Sequence, residues 1–157
     1  MTQSEQFVTQ SEEYVRMLVR MHGEDSFQRK VWAAFVDAAQ GFSTVDWAAS
    51  LELAARYRTR QSQCFNNCMK IAVRHPELQY FEGTAAPIIP VEHAWLVDQR
   101  GIVLDPTLCL QEDHGQRRAD YFGMHVPLRQ LRMPRENPFE PAWMRMLLEQ
   151  MKENAQK

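Results

Sequence analysis

The chain has 157 residues, 45% of them hydrophobic, which suits one compact domain with a substantial core and argues against wholesale disorder. Eighteen basic against 20 acidic side chains leave a net charge of −2, so composition gives no electrostatic ground for binding nucleic acid or an anionic membrane. Three cysteines, an odd number, do not make a disulfide framework and fit a reducing, cytoplasmic setting; no segment reads as a signal peptide or membrane span.

Three helices are expected over residues 1–60. In the first, Phe7, Tyr14, Val15, Leu18 and Met21 recur near the helical period, and Gly23 stops it. In the second, Phe27, Val31, Ala34, Phe35 and Ala38 share a face, with Gly41 at the end. The third opens on Ser43, Thr44 and Asp46, whose side chains can accept a bond from the free N–H groups of a first turn. QSQCFNNCMKIAVRHPE reads as a fourth helix, with Ser62 as N-cap, Cys64 in the first turn and Pro76 as the stop. Strand-like segments follow: LQYFEGTAA, VEHAWLV and GIVLDPT, then a loop over residues 117–121 and a further strand around YFGMHVPL. Tyr80, Phe81 and Glu82 can pass near a cleft, or Glu82 and Gly83 can simply end a strand. FEPAWMRMLLEQMKE closes the chain as a helix entered through Pro138 and Pro141. Helices, a small antiparallel sheet, then a helix make an α+β pattern. No Gly-, Ser- or Pro-rich linker divides it, so residues 1–60, 61–132 and 138–153 read as parts of one domain.

Two polar residues interrupt the apolar hairpin VEHAWLVDQRGIVLDPTL: His93 and Asp105. Side chains alternate along a strand, so His93, Trp95 and Val97 share one face. If Gln99, Arg100 and Gly101 form a three-residue loop with Gly101 left-handed, Asp98 pairs with Ile102 and Val97 faces Val103. Trp95 then faces Asp105, and His93 lies diagonal to Asp105 on the same side, within reach of a polar contact. A loop of two or four residues would separate them. Each residue also has a plain structural reading: His93 as a satisfied polar group under the sheet, Asp105 as the turn starter before Pro106.

Cys64 is the candidate nucleophile. At the start of a helix, unpaired N–H groups and the positive end of the dipole favour a thiolate. A histidine beside it can take its proton, and an aspartate beside the histidine fixes the ring tautomer. The ordinary alternative is a buried core cysteine, as for Cys68 one turn on and for Cys109. Gln61 and Gln63 sit where a side-chain amide could meet an oxyanion, together with the backbone N–H of Cys64. Trp95 either walls the site or packs in the core.

The order of Cys64 at a helix start, His93-Ala94-Trp95 in a strand and Asp105-Pro106-Thr107 after the next strand resembles the transglutaminase-like branch of the papain-like cysteine-enzyme superfamily. The resemblance covers residues 61–107, extending to Tyr121-Phe122-Gly123; the first 60 residues lie outside it. QCFNNC departs from the family in lacking the glycine that usually precedes the cysteine. The resemblance implies a cysteine helix packed on an antiparallel sheet. It also implies Cys64 as nucleophile, His93 as base and Asp105 as orienting acid, acting on a protein, peptide or small amide with no cofactor. Water as acceptor would give a protease or deamidase; an amine would give acyl transfer. Two other readings stand beside it. A metal site could draw on His75, His93, His114 and His125 with the three cysteines, though no spacing matches a metal motif. A papain-like fold without turnover would be a protein-interaction module. His125 is the second candidate for the base, but no aspartate follows it at hairpin distance.

Overall fold

The computed structural model describes residues 9–112, 119–133 and 140–157. Among these, the chain forms helices α1 (Gln10–Met21), α2 (Phe27–Ala38), α3 (Trp47–Tyr57), α4 (Cys64–Ala72), α5 (Leu128–Leu131) and α6 (Ala142–Ala155). The strands are β1 (Gln40–Phe42), β2 (Gln79–Ala86), β3 (Val91–Val97), β4 (Val103–Leu104) and β5 (Asp120–His125). They build one antiparallel sheet in the order β1-β5-β2-β3-β4, an α+β architecture.

The first helices start where short polar side chains meet free N–H groups. Thr9 accepts from the N–H of Glu12, Ser26 from Arg29 and Asp46 from Ala49. Asp46 therefore caps α3, whereas Ser43 and Thr44 do not. The N–H of Val103 donates to the carbonyl of Thr44 and that of Asp46 to the carbonyl of Val103, so residues 44–46 run beside β4. Gly41 is not a helix stop either. It lies in β1 opposite Phe122, a strand too short to show periodicity. Phe7, Arg117 and Pro138 lie outside the described residues, and Pro141 is the N-cap of α6.

Both faces of the sheet are covered. On one, Tyr80, Ala94, Leu96, Phe122 and Met124 pack against α1, α2, α4 and α6. On the other, Phe81, Trp95, Val97, Val103 and Tyr121 form a second core with Phe42, Val45 and Trp47. With both faces covered, β2 is buried from Tyr80 to Ala86 and β3 from His93 to Val97. Each large side chain among them, the alanines aside, contributes roughly 1.5–3 kcal/mol on full burial.

Glu82 lies in the middle of β2 rather than at its end, and it is fully buried on the helical face. Its carboxylate accepts from the Tyr80 hydroxyl at 2.7 Å and from the N–H of Trp143 at 3.1 Å, in the first turn of α6. The positive end of that helix complements the buried charge. Glu82 thus anchors the closing helix and does not border a cleft. Gly83 and Gly123 face each other across β2 and β5. A Cβ on Gly123 would lie 2.4 Å from the carbonyl oxygen of Glu82 and 2.5 Å from Cη2 of Trp95, so this glycine makes room for the indole.

Candidate active site

The site begins with the β3–β4 hairpin. Gly101 has φ +79°, the N–H of Asp98 donates to the carbonyl of Ile102 at 3.0 Å, and Val97 faces Val103. The expected three-residue loop and register are present. The ladder stops one pair later, at Leu96 and Leu104, so Trp95 does not pair with Asp105. Two features turn the chain away. Pro106 has no N–H to continue a ladder. The Oδ1 of Asp105 accepts from the N–H groups of Thr107 and Leu108 at 3.0 and 2.8 Å, leading into a 3-10 turn over Leu108–Leu110.

The other oxygen of that carboxylate meets the histidine. Nε2–H of His93 donates to Oδ2 at 2.7 Å, and the Tyr121 hydroxyl donates to the same oxygen at 3.0 Å. Asp105 is fully buried and His93 is 4% exposed. Burial alone would pull the imidazole down. The Asp105 carboxylate and the Cys64 thiol reverse that and hold it raised, at about 10. Burial acts on Asp105 in the opposite sense, but the imidazolium and the two backbone N–H groups hold its carboxyl below the ordinary value. With Nε2 committed to Asp105, Nδ1 is the ring nitrogen free to meet the thiol.

Cys64 is the first residue of α4, but Ser62 is not its cap. Ser62 has φ +60°, and Gln63 occupies the cap position with no side-chain bond to the helix. The first N–H groups of α4 therefore have no side-chain cap. Cys64 and His93 both line a cleft of about 370 Å³, together with Gln61, Phe65, Val91 and Thr107. Gln61 donates to the carbonyl of Leu110 at 3.2 Å, which leaves its second N–H available. Gln63 is exposed and is not among the cleft-lining residues. Trp95 is fully buried, stacks beneath His93 with centroids 6.4 Å apart, and packs in the second core instead of walling the cleft.

The remaining thiols and histidines lie elsewhere. Cys68 is fully buried with its thiol against the carbonyl of Ala94 at 3.4 Å, and burial pushes it well above the ordinary thiol range. Burial and then the Asp105 charge push Cys109 up to about 12. His75, beyond the C-terminal end of α4, bonds Tyr57 and Glu77, and His125 rests against Phe81, its imidazole lowered by burial. Among the described residues, no group of three or more His, Cys, Asp or Glu side chains could hold a metal ion; His114 lies outside them.

Several residues of the site escaped the sequence reading. Ser50 of α3 accepts from the backbone N–H of Asp105 at 2.9 Å, and Thr59 donates to the carbonyl of Pro106 at 2.7 Å. Asn67 of α4 donates to Thr107 Oγ1 at 2.9 Å and to the carbonyl of Arg60 at 2.7 Å. The helix that carries the cysteine is thereby bonded to the turn that carries the aspartate. The NN in QCFNNC was the available signal, since one of two adjacent asparagines on a helix faces inward. Tyr121 lies in β5 and not at the end of a loop, and nothing local marked its hydroxyl as a partner of Asp105.

No protein-family model, no curated protein and no solved structure matches this chain. Among the described residues, no helix is long and apolar enough to cross a membrane.

Proposed function

We propose that the chain is a cysteine-nucleophile enzyme acting on an amide bond, with Cys64 as nucleophile, His93 as general base and acid, and Asp105 as the orienting acid. The observation that carries this reading is the 2.7 Å bond from His93 Nε2 to a fully buried Asp105, made by a histidine that shares an open cleft with Cys64. Cys64 is 8% exposed at the start of α4 and lines the same cleft as His93. The order of Cys64, His93-Ala94-Trp95 and Asp105-Pro106-Thr107 supports the transglutaminase-like resemblance in the same sense.

In this mechanism Nδ1 of His93 takes the proton of Cys64. The sulfur then bonds the carbonyl carbon as the π pair moves to oxygen. The backbone N–H of Cys64 and the free N–H of Gln61 are the donors at hand for that oxyanion. Collapse restores the carbonyl and breaks the C–N bond, and the amine leaves with the proton from His93. The thioester on Cys64 passes its acyl group to water or to a second amine. The substrate class is a protein, peptide or small amide.

Incubation with a mixed library of peptide amides should leave a hydroxylamine-labile acyl adduct on Cys64, read by intact and peptide mass. The adduct should be absent in Cys64→Ala and strongly reduced in His93→Ala. No adduct with any amide, together with partner binding unaffected by Cys64→Ala, would favour an interaction module.

A further inference from the structure

We infer that Tyr121 is a fourth member of the site, a positioning residue that fixes the Asp105 carboxylate and sets how tightly it holds the His93 imidazole. The inference rests on the Cys64–His93–Asp105 reading.

Tyr121 lies two strands away from His93, with β2 between them. It reaches Asp105 because β2 offers only small residues beneath it: Ala85 opposite Tyr121 and Gly83 opposite His93. Its ring crosses that gap 5.1 Å from the Trp95 ring and 6.4 Å from the His93 ring. The hydroxyl then donates at 3.0 Å to Oδ2 of Asp105, the oxygen His93 uses at 2.7 Å. Oδ1 already accepts the N–H groups of Thr107 and Leu108. Each carboxylate oxygen thus holds two donors, and the group has no free direction in which to rotate. Tyr121 is fully buried, and burial beside Asp105 keeps the phenol protonated, so toward the carboxylate it is a donor only.

A phenylalanine would fill the same space. The hydroxyl adds competition for one oxygen: two donors share its electron density, and each bond is weaker than it would be alone. The Asp105–His93 bond is therefore tempered. An imidazolium held too tightly gives up its proton poorly to a leaving amine, whereas one held less tightly can act in both directions.

The test reads the His93 Nε2–H proton by NMR at neutral pH in wild type, Asp105→Asn, Tyr121→Phe and a protein carrying fluorotyrosine at 121. The wild-type resonance should lie far downfield and disappear in Asp105→Asn. In Tyr121→Phe it should move further downfield, and His93 should titrate at higher pH than in wild type. Fluorotyrosine, a stronger donor of unchanged shape, should move the resonance the opposite way, which keeps the test valid if Tyr121→Phe folds poorly. A resonance lost in Asp105→Asn but unmoved by either change at 121 overturns the role of Tyr121 and leaves the His93–Asp105 pair standing. A resonance indifferent to Asp105→Asn overturns the pair, and the role of Tyr121 with it.

Discussion

Replacing Asp105 by asparagine removes one charge and almost no volume, and its consequences can be worked atom by atom. The amide oxygen can keep the N–H groups of Thr107 and Leu108, which now bond Oδ1. The NH₂ group then faces Nε2 of His93 and the Tyr121 hydroxyl, where Oδ2 stood. It can donate to a neutral Nε2 but cannot accept from it, so the imidazole proton moves to Nδ1, the nitrogen needed for Cys64. Without the carboxylate, burial dominates and the imidazole falls below its ordinary value. In the wild type the carboxylate holds the imidazole raised and so favours the imidazolium. The expected loss in acylation of Cys64 is on the order of 10⁴-fold, the size seen when a triad histidine is left in the wrong tautomer. Timed intact-mass measurement of the adduct gives the rate, and imidazole NMR gives the titration. A loss below about tenfold, with His93 still raised, would refute the reasoning.

Other outcomes follow from the same geometry. Asn67→Ala leaves Thr107 Oγ1 and both backbone groups of Arg60 without their partner, so denaturant melts should show a loss of about 1–3 kcal/mol, with slower acylation of Cys64. Gly123→Ala puts a methyl 2.4 Å from backbone at Glu82 and 2.5 Å from Trp95, and should cost at least about 1–3 kcal/mol in the same assay. Gly101→Ala meets nothing within 4 Å but is strained by its φ of +79°, and should cost about 1 kcal/mol. The His93–Asp105 pair also makes stability depend on pH. His93 is raised on folding, so its contribution is complete below 6.5 and lost as pH climbs through about 10. Asp105 is lowered, so its contribution is present above 3.8 and lost as pH falls through its folded value. The difference in Tm between wild type and Asp105→Asn should shrink between pH 6.5 and 10; a constant difference across that window would contradict the coupling.

The parts of the site that were legible in sequence are the local ones. One glycine in a three-residue loop set the β3–β4 register, and the register brought His93 to the side of Asp105. Its place at the start of a helix did not by itself separate Cys64 from a core cysteine; the histidine and aspartate of the hairpin did. What escaped was carried by non-local pairing. Tyr121 and His93 are 28 positions apart in sequence, and nothing local announces that β5 lies next to β2 with Ala85 and Gly83 beneath the tyrosine. β1 was hidden because three residues carry no period, and Gly41 in it resembles a helix stop. Trp95 shared a face with His93 as expected, but alternation cannot tell a wall of the cleft from the second core beneath it. Nor did the first 60 residues suggest that Ser50 and Thr59 hold the aspartate's turn.

The most direct test of the account is the alkylation rate of Cys64 by iodoacetamide across pH, read by peptide mass in wild type and His93→Ala. The Cys–His pair predicts that Cys64 reacts at neutral pH faster in wild type by on the order of 10²-fold, while Cys68 and Cys109 stay unmodified in the folded protein. An inert Cys64, or one that reacts equally in both proteins at every pH, would contradict the central claim.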